Sequence, residues 1–525
     1  MSIKKEELTP ELEQVRSFTQ ENLGKNELIA VFSSARGKEI AITADADEAM
    51  AMVLGKEHVE ITEQANKKVL RKIDFFLIPL IGLLYAFQFM DKTTTSYAAV
   101  MGFKKDFHMV GTMYSWCGSA FYLGYLLFEF PANALLQRFP LSKTISAFIV
   151  LWGMILCLHA VPTNYAGIIT LRVVLGMLES AVTPAMVLLT SQWYKQEEQF
   201  LRTAFWFSCN GLGIIIGGGI AYGVAEHSHS YSVEGWRILF IVTGLMTIVT
   251  GILFFLHVPD TPSKAWFLTE EEKIIHVERI RSNQQGYGNK HFKKHQFIEA
   301  LTDINTWLFF AYAIANNIPN GALTNFASIL LNSDFGFTPK QSLYMNMPTG
   351  GVEFVGCILL AWSVRFFKHR MAISIFAMVI ALMGSCLLAF HHNKHVRLAG
   401  YYVMYVYPVT TICALSCFAS NTAGHTKKIS TNAIFLIGYC VGNLIGPQTF
   451  ISKQAPTYTG GKISFVICDA FSILFLALIY LNYWRLNKKK EKDLAVMDLS
   501  ELKQHDNLEF ADLTDFENPY FRYSL

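Results

Sequence analysis

An arginine and a glutamate interrupt an otherwise oily stretch, Leu171-Arg172-Val173-Val174-Leu175-Gly176-Met177-Leu178-Glu179-Ser180-Ala181-Val182-Thr183-Pro184. The spacing is about two helical turns, so at ~100° per residue both charges fall within ~20° on one face, ~10 Å apart along the axis. Gly176 lies between them. Ionisable groups at membrane depth face a protein interior or a wet cavity and commonly mark the path of an ion or substrate. A planar guanidinium holds a carboxylate through two parallel hydrogen bonds, which suits Arg172 to an organic anion. A carboxyl that desolvation makes harder to ionise, and a nearby cation makes easier, can take up and release a proton, which suits Glu179 to proton coupling. The competing reading is structural: Arg172 ties its helix to a neighbouring carboxylate, since buried membrane charges usually pair.

Other apolar runs carry polar residues too. Gln88, Asp91 and Lys92 lie in or at the end of the first run, Glu129 in the second, Asn210 in the fifth and Glu353 in the eighth. Asn316, Asn317 and Asn320 lie in the seventh, and Asn443 and Gln448 in the eleventh. Glu129 and Asp91 join Glu179 as candidate proton carriers, and Lys92 joins Arg172 as a candidate for the anion. Asn316, Asn317, Asn320, Asn443 and the tyrosines Tyr405 and Tyr407 are candidates to bind the neutral remainder of a cargo. Each has a bland alternative. Glu129 precedes Pro131 and can simply neutralise a cation or satisfy backbone groups released by the proline. Asp91 and Lys92 suit an interface from which a lysine snorkels to water. The asparagines suit interhelical hydrogen bonds. Pro319-Asn320-Gly321 predicts a break in the seventh helix, of the kind that lines transporter cavities. Gly211, Gly213, Gly217, Gly218 and Gly219 lack the context of a phosphate cradle and predict close helix packing.

Such residues need a membrane-embedded housing, and the composition supplies one: the chain is 52% hydrophobic and only 16% charged, with a mean hydropathy of +0.30. From residue 74 onward there are about twelve apolar runs near the ~20 residues a bilayer requires. The first covers residues 74–92 and the last 463–483, and a polar connection over 259–306 divides them six and six. The expected fold is all-α and polytopic, with twelve transmembrane helices in two six-helix bundles. Residues 1–72 form the N-terminal tail, 73–258 the first bundle, 259–304 a linker, 305–484 the second bundle and 485–525 a C-terminal tail expected to be largely unstructured. Lys67, Lys68, Arg71, Lys72, Arg138, Lys143, Lys195, Arg202, Lys427 and Lys428 all fall on one side of this topology, which puts both tails and the linker in the cytosol.

Several function classes drop out. The net charge of +3 forms no basic patch interleaved with aromatics, so nucleic acid is excluded as a partner. All nine cysteines fall in apolar segments without a CxxC pair, and the histidines at 227, 229, 391, 392 and 395 read as surface residues. Neither a disulfide framework nor a metal site is expected, and no cofactor. GxSxG, HExxH and P-loop motifs are absent, so an enzyme is excluded. A channel calls for a filter-like repeat or a symmetric ring of charge. One charged face in one half points instead to a carrier with a midplane site between two halves.

Longer segments carry a family resemblance. They include Tyr85 through Asp91-Lys92-Thr93, Gly124-Tyr125 through Glu129-Phe130-Pro131-Ala132-Asn133, and Arg172 with Gly176, Glu179 and Pro184. Trp193-Tyr194 with Glu198 and Arg202, Gly235-Trp236-Arg237 with Pro259-Asp260, and Gly442-Asn443-Leu444-Ile445-Gly446-Pro447 extend the pattern. Together they resemble the fungal anion:cation symporter branch of the major facilitator superfamily. Asn283-Gln284-Gln285-Gly286, Ile318-Pro319-Asn320-Gly321, Leu331-Asn332-Ser333-Asp334-Phe335-Gly336 and the tail from Asn507-Leu508-Glu509-Phe510 to Arg522-Tyr523 are similar to yeast-type allantoate permeases. The first-span signature departs from the usual Asp-Arg-Thr-Asn, reading Asp91-Lys92-Thr93-Thr94, which keeps a cation but loses the guanidinium fork. The histidine that related animal carriers use in the second span has no counterpart beside Gly124-Tyr125.

The resemblance implies alternating access by two bundles and proton-coupled uptake of a small organic carboxylate, such as allantoate, ureidosuccinate or a dipeptide. The expected partners are that anion, protons and the lipid bilayer, with the chain a monomer in the plasma membrane or, alternatively, in the endoplasmic reticulum or vacuolar membrane. The same machine with a vitamin, a sulfonate or a thiamine-pathway carboxylate as cargo is a rival, as is a nutrient receptor that transports little.

Overall fold

Hydrocarbon offers a backbone no water to bond with, so a chain that crosses it must satisfy its amides internally, and long helices do so. The computed structural model describes residues 62–281, 293–366, 369–496, 513–518 and 520–525, with two short strands before them. Its spans, numbered 1 to 12 in chain order, begin with Glu63–Ala98, Met113–Arg138, Leu141–Leu158, Tyr165–Glu179 continued by Val182–Trp193, Gln196–Glu226 and Gly235–His257. The second set is Ile304–Ser333, Pro339–Met345 continued by Met347–Ser363, Arg370–Phe390, Lys394–Val403 continued by Pro408–Asn421, His425–Ile445 and Thr459–Val496. Ten of these are long and apolar enough to cross a membrane on composition alone. Spans 2 and 7 are long enough but less apolar, because they carry interior polar residues such as Glu129 and the asparagines.

Spans 1 and 12 run past the expected 74–92 and 463–483 at both ends, since a helix needs no oil to continue where nothing breaks it. Leu28–Ser33 pairs antiparallel with Glu39–Thr43, adding a hairpin of β-branched and apolar residues to an otherwise helical chain. Most of the tail before Thr62, the Gln284-Gln285-Gly286-Tyr287-Gly288 turn and Asn507-Leu508-Glu509-Phe510 lie outside the described residues.

The chain forms two units, Met1–Lys72 with Thr261–Ser282, and Ile73–Asp260 with Asn283–Leu525. In the smaller unit, Thr269 and Glu272 close a reciprocal cap at the start of helix Glu270–Arg281. Glu272 also receives the Lys72 ammonium at 2.7 Å.

In the larger unit, bare backbone sets how closely the spans approach. A Cβ at Gly176 would stand 1.9 Å from the Phe121 carbonyl oxygen, and one at Gly124 2.0 Å from that of Val173, so spans 2 and 4 cross backbone to backbone. Gly211 does have the packing role its glycine-rich segment predicted: it meets Gly350 of span 8 at an equivalent 2.2 Å. Span 7 corrects an expectation. It is unbroken through Pro319, because a proline removes only one ladder bond, here the one to the Ala315 carbonyl, and the turns on either side carry the helix past it.

The C-terminal tail also differs from expectation, because its last residues dock rather than trail. Thr514, Asp515 and Tyr523 are buried. Lys427, at the start of span 11, is held by Asp515 at 2.8 Å, Glu299 at 2.9 Å and Asp303 at 3.1 Å. Tyr523 stacks on Tyr483 of span 12 with ring centroids 5.1 Å apart and donates its hydroxyl to Asp515. Burial and the Asp515 carboxylate push that hydroxyl well above the usual phenol range. Ser524 exchanges backbone bonds with the Asn421 side chain. The acidic and aromatic composition that suggested solvation is what complements this basic, aromatic end of the bundle.

Candidate functional site

Spans 1, 2, 4 and 5 from the first half and 7, 8, 10 and 11 from the second line a central cavity, placed between helices where small-molecule sites form. Seven of its eighteen lining residues are aromatic: Tyr85, Phe89, Tyr125, Phe207, Tyr407, Phe435 and Tyr439. Among these sit few charges: Lys92 from span 1 and Glu353 from span 8.

Lys92 is where the geometry concentrates. Its ammonium reaches Glu179 Oε2 at 3.3 Å, with the lysine side chain 9% exposed and the glutamate side chain fully buried. The cation therefore faces the cavity while its counter-ion stands behind it. Glu179 ends the first helical segment of span 4, three residues after Gly176, where spans 2 and 4 cross. Lys92 also lies 5.8 Å from the Phe121 ring centroid and 6.0 Å from that of Tyr125, a cation–π setting for a desolvated ammonium.

Arg172 takes a different position from the one its helical spacing suggested. It does not line the cavity; its Nε donates to the Cys117 carbonyl at 3.1 Å, its guanidinium lies 5.2 Å from the Phe121 centroid, and Nη1 has no hydrogen-bond partner. Shared helix face did bring Arg172 and Glu179 to the same side of span 4, but Glu179 pairs with Lys92 instead. Asp91 points away from the cavity and accepts from Thr247 of span 6 at 3.0 Å. Glu129 is buried off the cavity, with Oε1 unpaired.

Across the cavity the asparagines form a fixed lattice. Asn317 and Asn320 line the space. Asn443 bridges them from behind, accepting from Asn320 at 2.8 Å and donating to Asn317 at 3.2 Å. Tyr407 donates to Asn320 at 2.6 Å. Asn316 turns instead to Thr411 at 2.8 Å, and Tyr405 lines a smaller neighbouring pocket together with Tyr407. Sequence reasoning gave no role to Gln88, Asn210 or Glu353 beyond their burial, nor any to the tyrosines at 85, 125 and 439; the signal available was a polar residue in an oily run, which reports burial but not direction.

At the end of the bundle opposite the span 12 terminus, hydrogen bonds join the two halves. Tyr114 donates to the Asn325 carbonyl at 2.6 Å, Ser119 to the Leu444 carbonyl at 2.7 Å, and the Ser328 amide to Ser96 at 3.1 Å. These contacts cap the cavity on that side. Among the described residues no cluster of three or more histidine, cysteine or carboxylate side chains could hold a metal ion.

Known proteins place this geometry. Residues 81–447 match the model of the Major Facilitator Superfamily. An allantoate permease of Saccharomyces cerevisiae is 48% identical over 96% of this chain and 95% of its own. An uncharacterized transporter of Schizosaccharomyces pombe is 47% identical over 91% of this chain and 93% of its own. A thiamine pathway transporter of S. cerevisiae is 32% identical over 94% and 92%. A bacterial homolog of the human lysosomal transporter Spinster, in an inward-facing and occupied conformation, shares the fold at a TM-score of 0.54 and 15% identity, covering 77% of this chain and 96% of its own. The central cavity between two sets of six spans thus sits in a protein that belongs to the Major Facilitator Superfamily and is a multi-pass membrane transporter.

Proposed function

We propose that the chain imports a small organic carboxylate together with protons, by alternating access across the plasma membrane with both tails in the cytosol. The observation that carries this reading is the Lys92–Glu179 pair, a cavity-facing cation whose counter-ion is hidden behind it. A cargo carboxylate that takes Lys92 leaves Glu179 buried without its partner, and a buried carboxylate without a partner is costly enough to bind a proton instead. Cargo and proton then load together. Rocking of the halves opens the other end, Glu179 deprotonates, re-forms its bond to Lys92 and expels the anion. Lys92 contacts the carboxylate, and Arg172 supports it from the Phe121 side. Asn317, Asn320 and Tyr407 receive the neutral remainder, Asn316, Asn443 and Tyr405 hold that wall, and Asp91 and Glu129 are second-rank proton carriers.

Near half identity to an allantoate permease over almost the whole chain supports a ureido-bearing carboxylate as cargo. The test is radiolabelled allantoate uptake by Glu179→Gln across external pH. Uptake that loses its pH dependence is expected; uptake that keeps the full wild-type dependence removes Glu179 from coupling.

A further inference from the structure

One cavity group remains unused. Glu353 is 1% exposed, lines the cavity and has neither a hydrogen bond nor an ion pair among the described residues. Its placement is rigid, because Gly350, one turn before it, is pressed backbone to backbone against Gly211, beside cavity-lining Asn210. Among the described residues the ammonium that lines the cavity is that of Lys92, and Glu179 engages it. A buried carboxyl without a cation holds its proton, and a carboxylic acid that keeps its proton is a hydrogen-bond donor. No side chain takes that donor up: the asparagine oxygens of the same half accept from other groups, Asn320 Oδ1 from Tyr407 and Asn317 Oδ1 from Asn443. We propose that Glu353 stays a neutral acid through the transport cycle and binds the cargo as a hydrogen-bond donor, to an oxygen remote from the carboxylate at Lys92.

This rests on the reading of Lys92 as the anion's contact. A ureido or peptide carbonyl can be the remote oxygen, and so can a second carboxylate, which accepts the same proton in a charge-assisted bond. The role differs from that of Glu179. Glu179 loses its counter-ion when cargo arrives and gains a proton, whereas Glu353 has no counter-ion to lose and gains an acceptor. A buried donor left unmatched is costly, so a cargo that supplies the acceptor is favoured over one that does not.

The test measures binding to the purified full-length protein by titration calorimetry with 3-ureidopropionate, which carries a remote carbonyl, and hexanoate, of similar length without one. Wild type should prefer 3-ureidopropionate. Glu353→Gln, whose amide still donates, should keep its affinity for that probe within about threefold and should keep the full pH dependence of uptake. Glu353→Leu should lose about tenfold while holding hexanoate as wild type does, which is the folding control. Infrared difference spectra near neutral pH should show the C=O band of a protonated carboxyl shifting when 3-ureidopropionate is added, a shift that Glu179→Gln keeps and Glu353→Gln lacks. The donor role is overturned, with the anion reading intact, by a Glu353→Gln as damaging as Glu353→Leu or altered in its pH dependence, by the absence of that shift, or by a Glu353→Leu that keeps 3-ureidopropionate affinity or weakens both probes equally. Wild-type protein that binds neither probe, or Lys92→Gln that binds both as wild type does, overturns the two together.

Discussion

Lys92 and Glu179 are unequal partners, and that inequality can be measured. The glutamate side chain is wholly buried, whereas the lysine is 9% exposed and opens on the cavity. Lys92→Gln strands a carboxylate in a dry place, a loss of about 3–5 kcal/mol where a buried pair is broken from one side. Glu179→Gln strands an ammonium that the cavity can hydrate and the rings of Phe121 and Tyr125 still face, so its cost should be lower, about 1–2 kcal/mol. The double variant removes both charges and should recover most of the larger loss, leaving a coupling of about 2 kcal/mol or more in a double-mutant cycle. Chemical denaturation in detergent at pH 7 gives the four stabilities, and calorimetric titration with the cargo gives binding. The double variant should be stable yet bind no carboxylate. Equal single costs that simply add, with coupling below about 0.5 kcal/mol, would refute the pair as the centre of the site.

Other residues give sharper yes-or-no outcomes. Arg172→Lys keeps a cation but loses the planar fork that bonds Cys117, so transport turnover should fall several-fold with KM for the cargo little changed; a rise in KM alone would place Arg172 on the cargo itself. Gly176→Ala puts a methyl group 1.9 Å from the Phe121 carbonyl oxygen, and the protein should be retained and degraded before reaching the membrane, as read by surface immunoblot. Tyr114→Phe combined with Ser119→Ala removes two bonds between the halves. At about 1 kcal/mol each, this shifts the conformational equilibrium roughly thirtyfold, and a cysteine placed at Thr183 should become more reactive to impermeant thiol reagent from outside. Asp515→Ala should lower stability by about 2–4 kcal/mol through loss of the Lys427 and Tyr523 contacts, with substrate affinity unchanged.

Fold class was legible because its cause is local and repeated: about twenty apolar residues per crossing, with basic residues on one side. Burial of the charged residues was legible for the same reason. Direction was not. Arg172 and Glu179 share a helix face, yet neither lines the cavity: Lys92 of span 1 does, with Glu179 behind it, a contact invisible in spacing along span 4. The Pro319 segment misled because a proline marks where one ladder bond is lost, not whether the turns on either side carry the helix past it. The C-terminal tail misled because acidic composition reads as solvated until a buried lysine on another span is known to await it.

Proton-driven concentration of a carboxylate is the claim on which the rest stands. Purified protein reconstituted into proteoliposomes, with an inward proton gradient and labelled allantoate outside, should accumulate the label above equilibrium, lose accumulation when the gradient is collapsed, and fail to accumulate it with Lys92→Gln. Label that only equilibrates, at a rate indifferent to the gradient, would contradict proton coupling at the Lys92–Glu179 pair.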